Sequence, residues 1–261
     1  MTNPTLFLSH GAPTLPIQQT PARAFLEGLA GSLERPRAIL VVSAHWETDR
    51  PTVNAVAVND TIHDFRGFPQ ALYDLRYPAP GSAEIAAEVV RLLRDAGFEP
   101  EIDHSRGLDH GAWVPLLLAW PEADIPVLQL SVQPDAGPEH HLKIGRALAA
   151  LRHQGVLIVG SGSFTHNLRE LDWRGAGAPE APWSAAFADW MSQALAANRT
   201  EDLVDYRARA PFAARNHPTE EHLLPLYVAL GAGDGEARHL HSSAEMGSLR
   251  MDAFAFGAPA P

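Results

Sequence analysis

The feature of this sequence that most constrains its fold is the regular alternation of short apolar runs with longer segments of helical periodicity. Runs of strand length, rich in β-branched and apolar residues, occur at residues 5–10, 37–46, 52–58, 125–132 and 156–164. Segments with helical spacing of apolar residues occur at 21–33, 82–98, 137–155, 183–198 and 218–233. This alternation predicts an α/β fold with a mainly parallel or mixed sheet covered by helices on both faces.

Local signals predict several boundaries of these elements. Pro21 suits the first turn of a helix, Ser82 is a favourable N-cap, and Gly97 follows the end of the helix that Ser82 begins. The last apolar segment, residues 246–257, predicts a strand or a hairpin. Proline and glycine are spread along the chain, and the sequence has no internal repeat or low-complexity linker. We therefore expect a single domain over residues 1–261.

Charge and composition narrow the functional classes. The formal net charge is −11 and the basic residues do not cluster, which argues against a nucleic-acid partner. No apolar run reaches the length of a membrane span and no secretory signal pattern opens the chain, so we expect a cytoplasmic protein without a membrane partner. The chain has 13 histidines and no cysteine. A metal site would therefore use imidazole and carboxylate ligands, which suit zinc or non-haem iron.

Five histidines fall at the junctions between loops and regular elements. His10 and His45 end the first two predicted strands, and His166 follows the strand that begins at residue 156. His110 lies in a predicted loop before a helix, and His222 in the first turns of a later helix. Each alone is most simply a hydrogen-bonded core or loop residue. Because parallel sheets carry their sites at the carboxyl ends of the strands, the five together indicate a shared metal site.

Other histidines and the tryptophans have simpler interpretations. Residues predicted to lie on the surface of a helix are His140, His141 and His153; His239 and His241 alternate in a predicted strand and receive no role. Residues predicted to pack in the core are Trp113, Trp120, Trp183 and Trp190. The sequence has no P-loop, no GxSxG nucleophile motif and no HExxH zinc-protease motif.

One long segment, residues 59–81, has no clear periodicity and is rich in aromatic residues, proline and glycine. Structureless segments of this length in compact domains are commonly lids or site walls. The alternative is a surface excursion packed by its own aromatic side chains. We expect the part from Ile62 to Pro80 to close over a bound substrate and exclude water.

Seven sequence motifs together resemble those of a known protein family. In order along the chain they are LFLSHGAP, VVSAHWE, TIHDFRGFPQALYDLRYPAPG, GLDHGAWVPL, GSFTHNL, HPTEEHLLPL and EMGSLRM. By these motifs the chain resembles the DODA-type class III extradiol ring-cleaving dioxygenases of the LigB-like superfamily, from about residue 5 to about residue 256. The resemblance implies a single α/β domain that opens a catechol-type aromatic diol with O₂ at one divalent metal ion.

The same resemblance implies roles for individual histidines. His10 and His45 match the family's first two metal ligands, and His222 matches a further ligand. His166 matches the histidine usually given the acid–base role, and it is also a candidate ligand. His110 matches a histidine thought to face the substrate or dioxygen.

One departure from the wider superfamily leaves the metal open. The wider class III enzymes hold iron with two histidines and a glutamate, whereas the matched third position here is His222, with Glu220 and Glu221 beside it. Either Fe(II), which ring cleavage requires, or Zn(II), which suits an all-imidazole site, fits the implied ligands. Two alternatives also stay open, a zinc-dependent hydrolase and a non-catalytic Memo-like binding protein. The sequence leaves the oligomeric state open, a homo-oligomer included.

Overall fold

The computed structural model describes residues 3–174, 177–233 and 236–257. The strands are β1 (Thr5–Ser9), β2 (Ala38–Glu47), β3 (Thr52–Asn54), β4 (Glu101–Asp103), β5 (Val127–Val132), β6 (Val156–Gly162), β7 (Ala237–His241), β8 (Ala244–Glu245), β9 (Leu249–Arg250) and β10 (Ala253–Phe256). The helices are α1 (Pro21–Leu29), α2 (Gln70–Tyr73), α3 (Ala83–Asp95), α4 (His110–Ala119), α5 (Gly137–Leu148), α6 (Pro182–Ala196), α7 (Thr200–Val204), α8 (Tyr206–Arg209), α9 (Ala213–Asn216) and α10 (Leu224–Ala232). The fold is the predicted α/β arrangement.

The main sheet is mixed, and its parallel centre carries the site. Among the described residues its strand order is β4-β3-β5-β2-β6-β1-β10-β7. Strands β5, β2, β6 and β1 run parallel to one another; β10 pairs antiparallel with β1, and β7 pairs antiparallel with β10. The carboxyl ends of β1, β2 and β6 therefore meet at one edge, as the sequence predicted.

Alternating residues of the central strands pack against helices on opposite faces. Ile39 and Val41 of β2 belong to a core cluster that includes residues of α1 and α4. Leu40 and Val42 belong to a second cluster that includes residues of α3, α5 and α10. Burial on both faces explains why β2 reads as a continuous apolar run rather than an alternating one.

Two glycines of β6 allow the first turn of α10 and the turn before it to approach the sheet closely. A Cβ added at Gly160 would lie 2.1 Å from the carbonyl oxygen of Pro225, and one at Gly162 would lie 2.1 Å from that of His222. The amide of Ser163 donates a hydrogen bond to the same His222 carbonyl, at 2.8 Å. The absence of a side chain at Gly162 thus sets the distance between His222 and the end of β6.

Replacing Gly162 with alanine should destabilise the protein and displace His222. A backbone carbonyl cannot yield as a flexible side chain can, so we expect a loss of about 1–3 kcal/mol of unfolding free energy or more. Urea denaturation and metal content would measure both effects. The matched control is Gly28→Ala in α1, where an added Cβ meets nothing within 4 Å. Equal stability of the two variants would contradict this interpretation of β6.

Several boundaries differ from the predictions. The strand predicted over residues 52–58 stops at Asn54, because the Asn54 side chain donates to the carbonyl of Arg106 and accepts from the amide of Gln129, which ends regular pairing there. The helix predicted through residue 155 ends at Leu148 and continues as a 3₁₀ turn. The final segment, residues 246–257, was predicted as a strand or a hairpin; it holds strand β10 and the short strand β9, which pairs with β8 just before the segment.

Three histidines lie in places other than those expected. His141 is buried instead of solvated: its Nδ1 bonds the Gly137 carbonyl at 2.7 Å, and its Nε2 accepts from the Gln133 amide at 3.1 Å. His110 is the first residue of α4 rather than part of a loop. His222 lies in the turn before α10 rather than inside a helix, because α10 begins only at Leu224.

The remaining local predictions are confirmed. Pro21 opens α1, and the Ser82 hydroxyl accepts from the amide of Ile85 at the start of α3. Three of the four tryptophans, Trp113, Trp120 and Trp183, are buried and the fourth is half-buried. Over the described residues, none of the helices combines the length and the apolar character needed to cross a membrane.

Candidate active site

Neighbouring parallel strands bring the first two candidate ligands together. His10 directly follows β1, and its amide donates to the carbonyl of Gly162 at the end of β6 at 3.0 Å. His45 lies near the end of β2, on the other side of β6. The turn before α10 adds His222 from above the end of β6. All three side chains therefore project at the same edge of the sheet.

The ring nitrogens of these three histidines converge. The Nε2 atom of His45 lies 3.0 Å from that of His10 and 3.3 Å from that of His222. One nitrogen from each ring can be chosen so that all three lie within 4.8 Å of one another. The rings of His10 and His222 are buried, and that of His45 is partly buried.

A chain of hydrogen bonds fixes the tautomer of His10. Pro115 has no amide hydrogen, so the carbonyl of Gly111, four residues earlier in α4, lacks its helical donor. The Ser161 hydroxyl donates to that carbonyl. Its oxygen must then accept from His10 Nδ1, which lies 3.2 Å away. The Nε2 atom of His10 is left as a lone pair that faces the other two rings.

Carboxylates lie beside the Nδ1 atoms of the other two rings. Glu221 Oε1 accepts from Nδ1 of His222 at 2.8 Å, which leaves Nε2 of His222 as a lone pair. Asp64 Oδ2 lies 3.7 Å from Nδ1 of His45, within ion-pair range although too far for a hydrogen bond. The Nε2 lone pairs of His10 and His222 both face Nε2 of His45, at 3.0 and 3.3 Å, and three imidazole nitrogens placed in this way form a donor set that fits a divalent metal ion.

Burial keeps these imidazoles in the form that binds metal. Burial, and then the charges of neighbouring histidines, lower the pKa of His10 and of His222 well below the ordinary value. Burial and the His110 side chain lower the pKa of His45 to about 3, although Asp64 and Glu221 act in the opposite direction. All three rings are thus neutral near pH 7, and protons do not compete with a metal ion.

His166 lies beside this cluster in a different orientation. Its ring is stacked on that of His222, with centroids 3.4 Å apart and planes 10° from parallel. His166 therefore faces the His222 ring instead of joining the three converging nitrogens, although His166, Glu221 and His222 form a second group with ligand atoms within 4.8 Å of one another. Burial lowers the pKa of His166 to about 4, so this ring is also neutral near pH 7.

His110 is held by Asp64. Its Nδ1 lies 2.9 Å from Asp64 Oδ2, and its amide donates to Asp64 Oδ1 at 3.0 Å. Although burial raises the pKa of Asp64, the hydrogen bonds and charge of His110 lower it to about 2 overall. The His110 ring lies 4.0 Å from that of His45, centroid to centroid. The pair places a second imidazole next to the three converging nitrogens.

All five of these histidines line one cavity of about 410 Å³. Leu168, Leu171, Trp173 and Met246 are among the residues that form the rest of its wall, together with Phe68 from the irregular segment. A cavity of this volume has the size of a small-molecule site. The segment over residues 62–80 is therefore a wall of the site, through Phe68 and through Asp64 on His110; its closure over a substrate stays a prediction.

The sequence identified the five histidines as candidates, but it did not identify the side chains that orient their rings. Ser161 is one serine of a glycine-rich strand end. Its role in orienting His10 depends on the Gly111 carbonyl, which the fold places beside it. Asp64 lies in a segment without periodicity, so its contact with His110 of α4 could not be predicted from the sequence. The acidic pair next to His222 was the one available signal: Glu221 orients the ring, whereas Glu220 makes no such bond.

Replacing Glu221 with glutamine should weaken metal binding without unfolding the protein. The neutral amide removes the negative charge that holds the proton on Nδ1 of His222, and weakening such a partner typically lowers metal affinity by about 10–100-fold. A competitive chelator titration would measure the change. Glu122→Gln is the matched control, since Glu122 is exposed and makes no ion pair among the described residues. An affinity equal to that of the control would show that Glu221 does not support the site.

Neutral imidazoles that converge at the carboxyl edge of a parallel sheet, beside a cavity, are typical of a mononuclear non-haem metal enzyme. The family model described as the catalytic LigB subunit of aromatic ring-opening dioxygenase matches residues 4–252. The chain belongs to this LigB family and is an extradiol aromatic ring-opening dioxygenase, an oxidoreductase.

Individual relatives are similar to this chain over nearly its whole length. A 4,5-DOPA dioxygenase extradiol from Beta vulgaris is 47% identical over 258 residues, which cover 97% of this chain and 96% of the relative. One of the same name from Escherichia coli K12 is 42% identical over 254 residues, covering 95% and 92%. A crystal structure of an uncharacterised E. coli K12 protein superposes with a TM-score of 0.81 at 35% identity, covering 98% of this chain and 100% of that one. The dioxygenase prediction is thereby confirmed over the hydrolase and Memo-like alternatives.

Proposed function

We propose that His10, His45 and His222 hold one Fe(II) ion through their Nε2 atoms, and that the cavity beside them binds a catechol. The convergence of three neutral ring nitrogens, two of them in a fixed tautomer, carries this proposal. Zn(II) would fit the same nitrogens but has no redox chemistry. Bound there, Fe(II) would supply the Lewis acidity and the electron transfer that ring opening needs.

His166 is the residue we assign to proton transfer. It lines the cavity, is neutral near pH 7, and is stacked on His222 rather than aimed at the shared point. An imidazole in this state can accept a proton from a catechol hydroxyl and return it to the product. Glu221 Oε1 lies 4.0 Å from Nδ1 of His166, where its negative charge favours the protonated ring that forms during this step.

His110 is the residue we assign to binding of the substrate or dioxygen. Asp64 holds its Nδ1, so Nε2 is the ring atom left to face the cavity. A hydrogen bond from or to this atom would orient the diol beside the metal ligands. Because Asp64 also bonds the His110 amide, the ring is held at the first turn of α4 rather than free to rotate.

The relatives suggest the first substrate to test. Several bear the name 4,5-DOPA dioxygenase extradiol, so DOPA belongs in any panel of catechols. We also propose that residues 1–261 act as one catalytic domain. The cytoplasmic location stays a prediction that cell fractionation would test, and the oligomeric state is a question for light scattering.

Oxygen uptake tests the proposal. Metal-stripped protein would be reconstituted anaerobically with Fe(II), then mixed with air and a panel of catechols that includes L-DOPA; a Zn(II)-loaded sample is the control. We expect oxygen uptake coupled to a yellow muconic semialdehyde with iron alone. Stoichiometric metal binding without uptake for any diol would contradict it.

A further inference from the structure

The part of the cavity away from the histidines is apolar and carries no formal charge. It is lined by Phe68, Leu168, Leu171, Trp173, Met246 and Leu249. Among the described lining residues none is Asp, Glu, Lys or Arg; the polar ones outside the histidines, Thr14, Gln18 and Ser163, are neutral. A charged group that entered this region would lose its water without gaining a counter-charge.

Two large side chains of this region are unusually exposed. Trp173 is 76% exposed and Leu168 is 58% exposed, although both line the cavity. Exposed apolar surface beside a binding cavity commonly marks a contact that a ligand covers. The two residues thus form an apolar mouth, which we define as Leu168 and Trp173.

Backbone hydrogen bonds fix this mouth against the β8–β9 pair. The amide of Asp172 donates to the carbonyl of Met246 at 2.8 Å, and the amide of Ala181 donates to that of Gly247 at 2.7 Å. The Ser248 hydroxyl donates to the carbonyl of Glu170 at 3.3 Å. Glu170 and Asp172, which precede Trp173, and Ala181, which follows it, are therefore held in place before a ligand arrives, which reduces the entropy that binding must remove.

The arginines near the mouth offer little to a carboxylate. Arg174 pairs with Asp172, and Arg215 pairs with Glu170 through two bonds of 3.0 Å. Arg169 makes no ion pair among the described residues, but it is exposed and does not line the cavity. The net charge of −11 also disfavours an anion.

We infer that this enzyme prefers catechols with a neutral, apolar substituent on the ring, and that Trp173 and Leu168 bind that substituent. This inference rests on the proposed function. The diol end of such a substrate lies at the histidines, and the substituent points along the apolar wall to the mouth. The amino acid group of DOPA, which carries both charges, would find no partner on that wall and would have to stay in water.

Steady-state kinetics on the Fe(II)-loaded protein tests this inference with catechol, 4-propylcatechol and L-DOPA. We expect kcat/KM for 4-propylcatechol to exceed that for L-DOPA by about tenfold or more, since a few buried methylene groups supply such a factor. Trp173→Ala should lower the ratio of kcat/KM for 4-propylcatechol to that for catechol by about tenfold, mainly through KM. Phe212→Ala, which removes an exposed aromatic ring outside the cavity lining, should leave the ratio unchanged.

Different outcomes separate this inference from the proposed function. If none of the three diols is cleaved, the proposed function fails. If all are cleaved but L-DOPA is preferred, the inference fails while the proposed function stands. A preference for L-DOPA that disappears in Arg169→Ala would show that this exposed guanidinium, rather than the apolar mouth, selects the substrate.

Discussion

Replacing His45 with alanine should abolish both metal binding and ring opening. His45 Nε2 lies between the corresponding atoms of His10 and His222, at 3.0 and 3.3 Å, so its loss removes the central donor of the three. Removing a partner that merely orients a ligand costs about 10–100-fold in metal affinity, and loss of the ligand itself should cost more. Metal analysis after gel filtration and oxygen uptake with excess Fe(II) would measure the two effects.

The control for this variant is His104→Ala. His104 is an exposed histidine that does not line the cavity. Its replacement should leave one metal ion per chain and full turnover. A His45→Ala protein that retains a stoichiometric ion with normal affinity would show that the converging nitrogens are not the metal site.

Replacing His166 with alanine should abolish turnover while leaving the metal content nearly intact. The stacked geometry puts this ring beside the ligands without aiming it at their shared point, so its loss removes proton transfer and not a metal bond. Loss of a general acid–base group typically lowers the rate by about 10²–10⁴-fold. Steady-state oxygen uptake and metal analysis on the same sample would separate the two functions.

A second variant distinguishes loss of proton transfer from loss of the packing that the His166 ring provides. His166→Phe keeps an aromatic ring against His222 but removes both nitrogens, so it should bind metal as well as the wild type and still fail to turn over. If both variants lose metal in parallel with activity, His166 is a ligand. If His166→Phe is active, the ring serves packing and the assigned proton transfer is wrong.

The sequence was sufficient to predict that several of these histidines would meet, for a simple physical reason. Strands β1, β2 and β6 are parallel, and a residue at the end of one parallel strand must lie near the ends of its neighbours. His10 and His45 were therefore predictable from the apolar runs before them. His166 follows the same rule, because it lies just after β6.

The position of His222 was not predictable in the same way. Its distance from the sheet depends on the missing side chain at Gly162 and on a helix that begins only at Leu224. The predicted helix began at residue 218 and so included this turn, whereas α10 begins only at Leu224. The resemblance to the family indicated the role of His222, and the close backbone approach explains how the residue reaches it.

The residues that line the cavity could not be predicted from sequence patterns either. Trp173 and Met246 are 73 positions apart in the chain, and the backbone bond between Asp172 and Met246 brings them together. His141 shows the opposite failure: a surface prediction from helix periodicity was wrong, because the Gly137 carbonyl and the Gln133 amide satisfy both ring nitrogens in the interior. Side-chain partners from distant segments decide such positions.

The most direct test of the central claim is a crystal structure of the metal-loaded protein with data collected at the absorption edge of the metal. We predict one anomalous peak per chain, about 2.0–2.1 Å from Nε2 of His10, His45 and His222 if zinc is used, with His166 outside bonding distance. A peak coordinated by His166 and Glu221 instead, or bound through Nδ1 atoms, would contradict the assignment of ligands and proton-transfer residue.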